Sequence, residues 1–484
     1  MSTLETEDSY FNLLSFDLYA TIQATLQAPS YHIYFEALLI FWILKLLFFT
    51  KSYKPKRHLT ETEKEDLIKE WEPEPLVPSY PEDDPIINGF ENCVVQSKIG
   101  KLVTVNGIEC INLASFNFLG IVGRKDIEQE AINTISKYGV GSCGPRGFYG
   151  TVDVHLNLEE ELQRFMGVEE AILYSYGFST IASAIPAYSK RGDVIFADDG
   201  VSFSLQKGIQ ASRSKVYWFK HNDLEHLKTL LELQAAVDIK EPKKAKVTRR
   251  FLVCEGVYLN FGDICPLPKM VELKHKYKFR IFMDESVSFG TLGKTGRGVT
   301  EHYGVPISEV DLLCASLENS LGSIGGFACG RSYVVDHQRL SGQGYCFSAS
   351  QPPFMAQAAI KALNIIETDN QLISNLQKNC KYMHSTLKKI KKIKLVGEPF
   401  SAVQHLQISC ELTRQEKDIA LGEIAKRCRE QGVAVTKSAY LDEQEKTLPP
   451  PSIRIAVSNL LSTDDIDTAV SKLDTIIQDC LSFC

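Results

Sequence analysis

Short, nearly unbroken apolar runs alternate with amphipathic stretches from Gly167 onward, and this alternation restricts the fold more than any other feature of the chain. The runs are Ala171–Tyr174, Asp193–Ala197, Val216–Phe219, Arg250–Cys254, Arg280–Met283 and Leu312–Ser316. They are too short for buried helices and have no polar face, as expected of strands covered on both sides. Between them Thr180–Ser189, Leu224–Leu233 and Leu267–Tyr277 have helical spacing. Strand and helix in repetition predict an α/β domain around a largely parallel sheet. Beyond about Glu367 a further helix leads into a smaller α+β region ending at Cys484. The basic stretch Lys240–Arg250 interrupts the pattern and is expected to be a solvated loop.

The N-terminal part is of another kind. Ile33–Phe49 is apolar except for Glu36 and Lys45. A bilayer core needs about 17–25 such residues, so one membrane span is expected, from Ile33 to about residue 50. No Lys or Arg precedes it, whereas Lys51, Lys54, Lys56 and Arg57 follow at once. That asymmetry is the reverse of a signal peptide. It places the N-terminus outside the cytosol and the rest within it. The other reading of the run is a buried or interfacial helix. Tyr10–Leu26 has the spacing of a membrane-surface helix or is a poorly ordered terminus. Leu59–Trp71 is charge-rich and helical, and Pro73, Pro75, Pro78, Pro81 and Pro85 then make a stiff connector. The expected division is 1–57 (anchor), 58–85 (charged helix and linker), 86–366 (N-terminal arm and large domain) and 367–484 (small domain).

Composition excludes some functions. With 53 Lys+Arg against 60 Asp+Glu the net charge is −7, which argues against nucleic acid as a main partner. The 13 cysteines include no CxxC pair and the ten histidines no HExxH, so no metal site is expected. Dispersed cysteines of this kind read as reduced thiols.

Three segments carry possible chemistry. Gly139–Gly150 packs five glycines and Pro145 into twelve residues, a tight path that is either a ligand or subunit approach or a turn-rich connector. It lacks the Gly-Lys-Ser/Thr of a P-loop. Phe282-Met283-Asp284-Glu285-Ser286 puts an acidic pair at the C-terminal end of a parallel strand, where α/β folds bind ligands. Ala315–Gly326 is again a strand running into a glycine-rich turn.

These segments occur in order with Phe116-Asn117-Phe118-Leu119-Gly120, Asp153-Val154-His155-Leu156 and Lys220-His221-Asn222-Asp223. Over about Ile86 to Ser471 the chain resembles the α-oxoamine synthases, pyridoxal-phosphate (PLP) enzymes of fold-type I that condense an amino acid with an acyl-CoA. Within them the anchor, Trp71-Glu72-Pro73-Glu74-Pro75, Cys143–Gly150 and Leu340–Ser348 resemble the membrane-bound, two-subunit serine palmitoyltransferases. The resemblance implies an aminotransferase-like large domain and a smaller α+β C-terminal domain after one transmembrane helix.

Measured against the catalytic pattern, the chain departs at three positions. Alignment on Gly322 and Gly325-Gly326 places Asn319 where the Schiff-base lysine belongs, and an amide forms no imine. Ser202 falls at the family's ring-stacking His, and Val287 at the His of its Asp-Glu-Ala-His motif. Asp284 becomes a remnant of a ring-nitrogen contact. Lys207 and Lys294 sit at the wrong places to substitute.

Active sites of this family lie at a dimer interface, so the resemblance implies a role beside a catalytic partner. Asn117, Cys143, Arg146 and Ser348 match interface positions and either contribute to the partner's site or only shape the contact. Arg454 falls in the carboxylate-binding region, but the motif that should follow it is missing. The implied partner is a PLP-bearing catalytic subunit 2 that binds the cofactor covalently and condenses L-serine with palmitoyl-CoA. A small activating subunit, ORM-type regulators, membrane lipid and an endoplasmic-reticulum location are implied with it. Two other readings stand beside this one: a self-sufficient homodimeric PLP acyltransferase and a purely structural scaffold.

Overall fold

The computed structural model describes residues 23, 27, 29–49, 59–76, 93–369 and 371–482. The chain divides into a unit of residues 1–84 and a unit of residues 85–484. In the first, helix α1 (Ser30–Phe49) has 20 residues. At 1.5 Å per residue that is about 30 Å, the thickness of a bilayer core. It is long and apolar enough to cross a membrane. Helix α2 (Glu61–Glu70) starts with a capping box in which Thr60 and Glu63 satisfy each other's backbone N–H. Apart from Gln23, the stretch Tyr10–Leu26 lies outside the described residues, as do Lys51–Arg57 and the connector from Val77 on.

The second unit opens with a hairpin, β1 (Leu102–Val105) and β2 (Ile108–Asn112), turned at Asn106-Gly107 with φ of 50° and 80°. Two consecutive positive φ values are what Asn-Gly provides in a two-residue turn. Seven strands then build the main sheet: β3 (Glu170–Tyr174), β4 (Val194–Asp198), β5 (Lys215–Phe219), β6 (Arg250–Glu255), β7 (Arg280–Asp284), β8 (Leu312–Ser316) and β9 (Gly326–Gly330). Their order is β3-β9-β8-β7-β6-β4-β5. β9 runs antiparallel to both neighbours, and the remaining pairs are parallel. Phe196, Leu252 and Ile281 on one face and Ile195, Phe251 and Phe282 on the other are all buried, so the two faces of the sheet are both covered.

The C-terminal region adds β10 (Ile393–Val396), β11 (Val403–Ile408), β12 (Val433–Ala434), β13 (Thr436–Lys437) and β14 (Ile453–Ala456). β10-β11-β14-β13 form an antiparallel sheet, while β12 pairs in parallel with β2 of the hairpin. The Ala456 amide donates to the Leu113 carbonyl at 2.8 Å, which further joins the arm to this region.

Two expectations need correction. Lys240–Arg250 is not all solvated loop: it contains a short helix, Pro242–Ala245, and its last two arginines pair with Asp193 and Asp238. Those partners come from other turns of the fold, which charge runs alone cannot reveal. Eleven cysteines are free among the described residues, but Cys410 is in a disulfide. A disulfide depends on distance in space, not on sequence spacing.

Candidate functional site

The C-terminal ends of the parallel strands carry the candidate residues, as this topology requires. Glu255 ends β6 and Asp284 ends β7, and the two are register partners across the ladder. Glu255 accepts hydrogen bonds from the amides of Ser202 and of Leu259, the latter at 2.8 Å. Asp284 Oδ1 accepts from the amide (2.8 Å) and hydroxyl (2.5 Å) of Ser286. The Asn319 amide in turn donates to the Ser286 carbonyl at 2.7 Å. The structure thus brings Ser202, Asp284 and Asn319 into one cluster, with Val287 buried in the turn beside it.

Burial, and then the neighbouring Asp284 charge, push the Glu255 carboxyl up to about 8 despite its amide donors. Burial raises Asp284 to about 6 against the Ser286 donors. Glu285, next in sequence, is raised by burial to about 8 although Ser288 and Val299 donate to it. No Lys, Arg or His forms an ion pair with these three among the described residues. The corner has acids but no base.

A second acidic group stands on the same rim. Asp198 ends β4, and its Oδ1 meets His221 Nδ1 at 2.8 Å. Asp263 meets the other ring nitrogen, Nε2, at 2.9 Å. Tyr258 donates its hydroxyl to Asp198 at 3.0 Å, and the His221 ring stacks on Phe261 with centroids 4.1 Å apart. Burial alone would lower the His221 pKa, but the two carboxylates outweigh it and hold the ring at about 10. It is a cation at neutral pH.

The interface candidates separate into two kinds. Arg146 is buried in an ion pair with Glu159 at 3.0 Å, the side chains being 4% and 7% exposed. Asn117 is also buried, donating to the Ile99 carbonyl at 2.8 Å and accepting from the Val122 amide at 3.2 Å. Both are engaged within their own chain. Cys143 is exposed and Ser348 half-buried. Their loops are stitched together: Ser142 donates to the Ser350 carbonyl at 2.7 Å and the Ser350 amide to the Gly144 carbonyl at 2.9 Å. A Cβ at Gly150 would overlap that same Gly144 carbonyl, so the loop closes only on glycine. Tyr149, with φ of 64° and 99% exposed, stands out from it.

Arg454 lies 4.5 Å over the Phe116 ring, its Nε buried without a hydrogen bond. Neither substitute lysine reaches the Asn319 turn. Lys207 reaches Gln210 at 3.3 Å and Lys294 lines a separate cleft with Lys378 and Lys381.

PLP needs an amine for its aldehyde, an anion opposite its ring nitrogen and a seat for its phosphate. Asp284 meets the second need. The first fails at Asn319, whose amide is already held by Ser286. The third fails as well, because the residue before Asn319 is Glu318. Its carboxylate lies by the N-terminus of helix α3 (Gly177–Tyr188), where a Cβ built on Gly177 would be 3.2 Å from Oε2. The residues present do not fit a covalently held cofactor. Sequence reading found Ser202, Asp284 and Asn319 and named the segments holding His221 and Glu318 without giving either residue a role, and it missed Glu255. The usable signal was Asp198, which closes an apolar strand just as Asp284 does.

The aminotransferase class I and II family matches residues 108–473. A Dictyostelium discoideum protein named serine palmitoyltransferase 1 is 41% identical over 98% of both chains. Long chain base biosynthesis protein 1b of Oryza sativa subsp. japonica is 44% identical over 90% of this chain and 89% of its own. Among solved structures, a Sphingomonas wittichii serine palmitoyltransferase superposes with a TM-score of 0.73 at 24% identity, covering 82% of this chain and 98% of that one. At that identity the likeness speaks for the fold, and it agrees with the sheet described above. On the family match and relatives that similar over almost their whole length, the chain belongs to the aminotransferase class I and II family, in the group of serine palmitoyltransferase 1 and long chain base biosynthesis 1 proteins.

Proposed function

We propose that this chain is the non-lysine subunit of a serine palmitoyltransferase, which condenses L-serine with palmitoyl-CoA to 3-ketodihydrosphingosine in sphingolipid synthesis. The observation that carries the reading is the Asn319 amide, bonded to the Ser286 carbonyl at a strand-end site that keeps Asp284. A chain with this fold and no amine there works through a partner. In this reading subunit 2 binds PLP covalently, and the bound cofactor supplies an electron sink for carbanion chemistry. The present chain contributes the α1 anchor in the endoplasmic-reticulum membrane, a cytosolic body of large and small domains, and one side of the shared interface. A small activating subunit and ORM-type regulators complete the assembly.

Cys143 and Ser348 are the residues free to reach the partner's site. The scaffold reading retains one supporting observation, that Asn117 and Arg146 are consumed within their own chain. Co-expression with a candidate subunit 2 tests both readings. Condensation of L-serine with palmitoyl-CoA is expected only when both chains are present, and Cys143→Ala is expected to change rate or acyl-chain selectivity in the assembled complex. Activity from this chain alone would refute the subunit reading. An assembled Cys143→Ala complex with unaltered rate and selectivity would favour the scaffold.

A further inference from the structure

Helix α3 opens at Gly177 directly beside the turn that joins β8 to Asn319. Twelve residues long, it has no side-chain cap at its N-terminus. Its first amides therefore present unsatisfied N–H groups and a partial positive charge, the ordinary setting for a phosphate. A cofactor whose ring faces Asp284 and whose aldehyde faces position 319 would bring its phosphate to the helix end that borders this turn.

That end is already supplied with an anion. Glu318 Oε2 accepts from the Ser316 hydroxyl at 3.0 Å, and the Ser316 hydroxyl accepts from the Glu318 amide at 3.1 Å. This reciprocal pair fixes the carboxylate over Gly177. A Cβ on Gly177 would meet Ser316 Oγ at 2.8 Å and Glu318 Oε2 at 3.2 Å, so the exposed carboxylate lies in contact range of the helix start. No Lys, Arg or His forms an ion pair with Glu318 among the described residues, and the start of the helix beside it carries a partial positive charge. A phosphate entering here would meet both a steric block and like charge.

We infer that Glu318 is a built-in anion that takes the phosphate seat at the start of helix α3, so that this chain excludes PLP by two independent locks, Glu318 and Asn319. The inference rests on the non-lysine reading above and adds to it. Loss of the lysine alone would leave a site that still admits the cofactor; the carboxylate closes it. The site can then keep its shape without a ligand, because a tethered charge faces the helix end in the ligand's place.

The test uses the co-expressed, membrane-solubilised complex and maps reduced cofactor by peptide mass spectrometry. A lysine amine restored at position 319 would condense with the PLP aldehyde, releasing water. Borohydride then delivers hydride to the C=N carbon and fixes the label as a secondary amine. Asn319→Lys alone is expected to label this chain only weakly. Asn319→Lys with Glu318→Ser is expected to label it at least tenfold more, and Asn319→Lys with Glu318→Gln, which keeps the bulk but removes the charge, to fall between. Co-purification with the partner, whose own label is an internal standard, reports that each variant is folded. Equal labelling of the single and double variants would overturn the inference while leaving the non-lysine reading intact, as would no label in any folded variant. Label on the wild-type chain would instead overturn the reading itself.

Discussion

Two acidic groups stand on one rim of one sheet, and they have opposite characters. At the end of β4, Asp198 and Asp263 share the His221 cation, Tyr258 donates to Asp198, and every charge has a partner. On the next two strands, β6 and β7, Glu255 and Asp284 lie side by side with hydrogen-bond donors but no cation. The first group ties β4, the turn after β5 and the loop after β6 into one structure. The second retains the outline of a cofactor site after its base has gone. The sheet supplies strand-end carboxylates in both places, and the presence of a base decides whether they stabilise or strain the fold.

Removing the cation should have the largest effect. His221→Ala leaves the Asp198 and Asp263 carboxylates without the cation between them, and loss of one member of a buried pair costs about 3–5 kcal/mol. Chemical denaturation of the purified complex at neutral pH measures it. The His221 pKa is raised from 6.5 to about 10, so its contribution is whole below about 6.5 and is lost as pH rises through about 10. A cost under about 1 kcal/mol would mean that the two groups do not differ as described.

A substitution in the acidic corner should have the opposite sign, although its pH dependence runs the same way. Asp284 and Glu255 are raised from 3.8 to about 6 and from 4.5 to about 8. Carboxyls raised on folding keep their protons in the native state, so their contribution is present below the unfolded values and is lost as pH climbs through the folded ones. Asp284→Asn keeps an oxygen for the Ser286 donors and removes one of the two charges. It should make the protein about 2 kcal/mol more stable at pH 8 and change it by less than about 0.5 kcal/mol near pH 4. Loss of stability at pH 8 would show that Asp284 has a stabilising partner.

Much of the sheet was legible in the chain because both of its faces are covered. The expected runs at Arg250, Arg280 and Leu312 start where β6, β7 and β8 start. β9 was not foreseen: it begins in the Gly325-Gly326 turn, and its residues Gly326–Gly330 include two glycines that hide the strand pattern. The β1–β2 hairpin was missed although Asn106-Gly107 between apolar residues signals such a turn. At the site, Asn319, Ser202 and Val287 were found because a resemblance fixes positions along the chain. Glu255 was not, and Glu318 was given no role, since their meaning comes from neighbours across the sheet and from a helix end more than a hundred residues earlier. Arg146 shows the same limit: its loop was identified, but its buried partner Glu159 lies on the following helix.

The central claim is that this chain has the fold of a PLP enzyme without the means to hold the cofactor. The most direct measurement is borohydride reduction of the wild-type complex, followed by peptide mapping of the reduced cofactor on each chain. Label is expected on a lysine of the partner and none on this chain. Label on any lysine of this chain, Lys207 and Lys294 included, would contradict it.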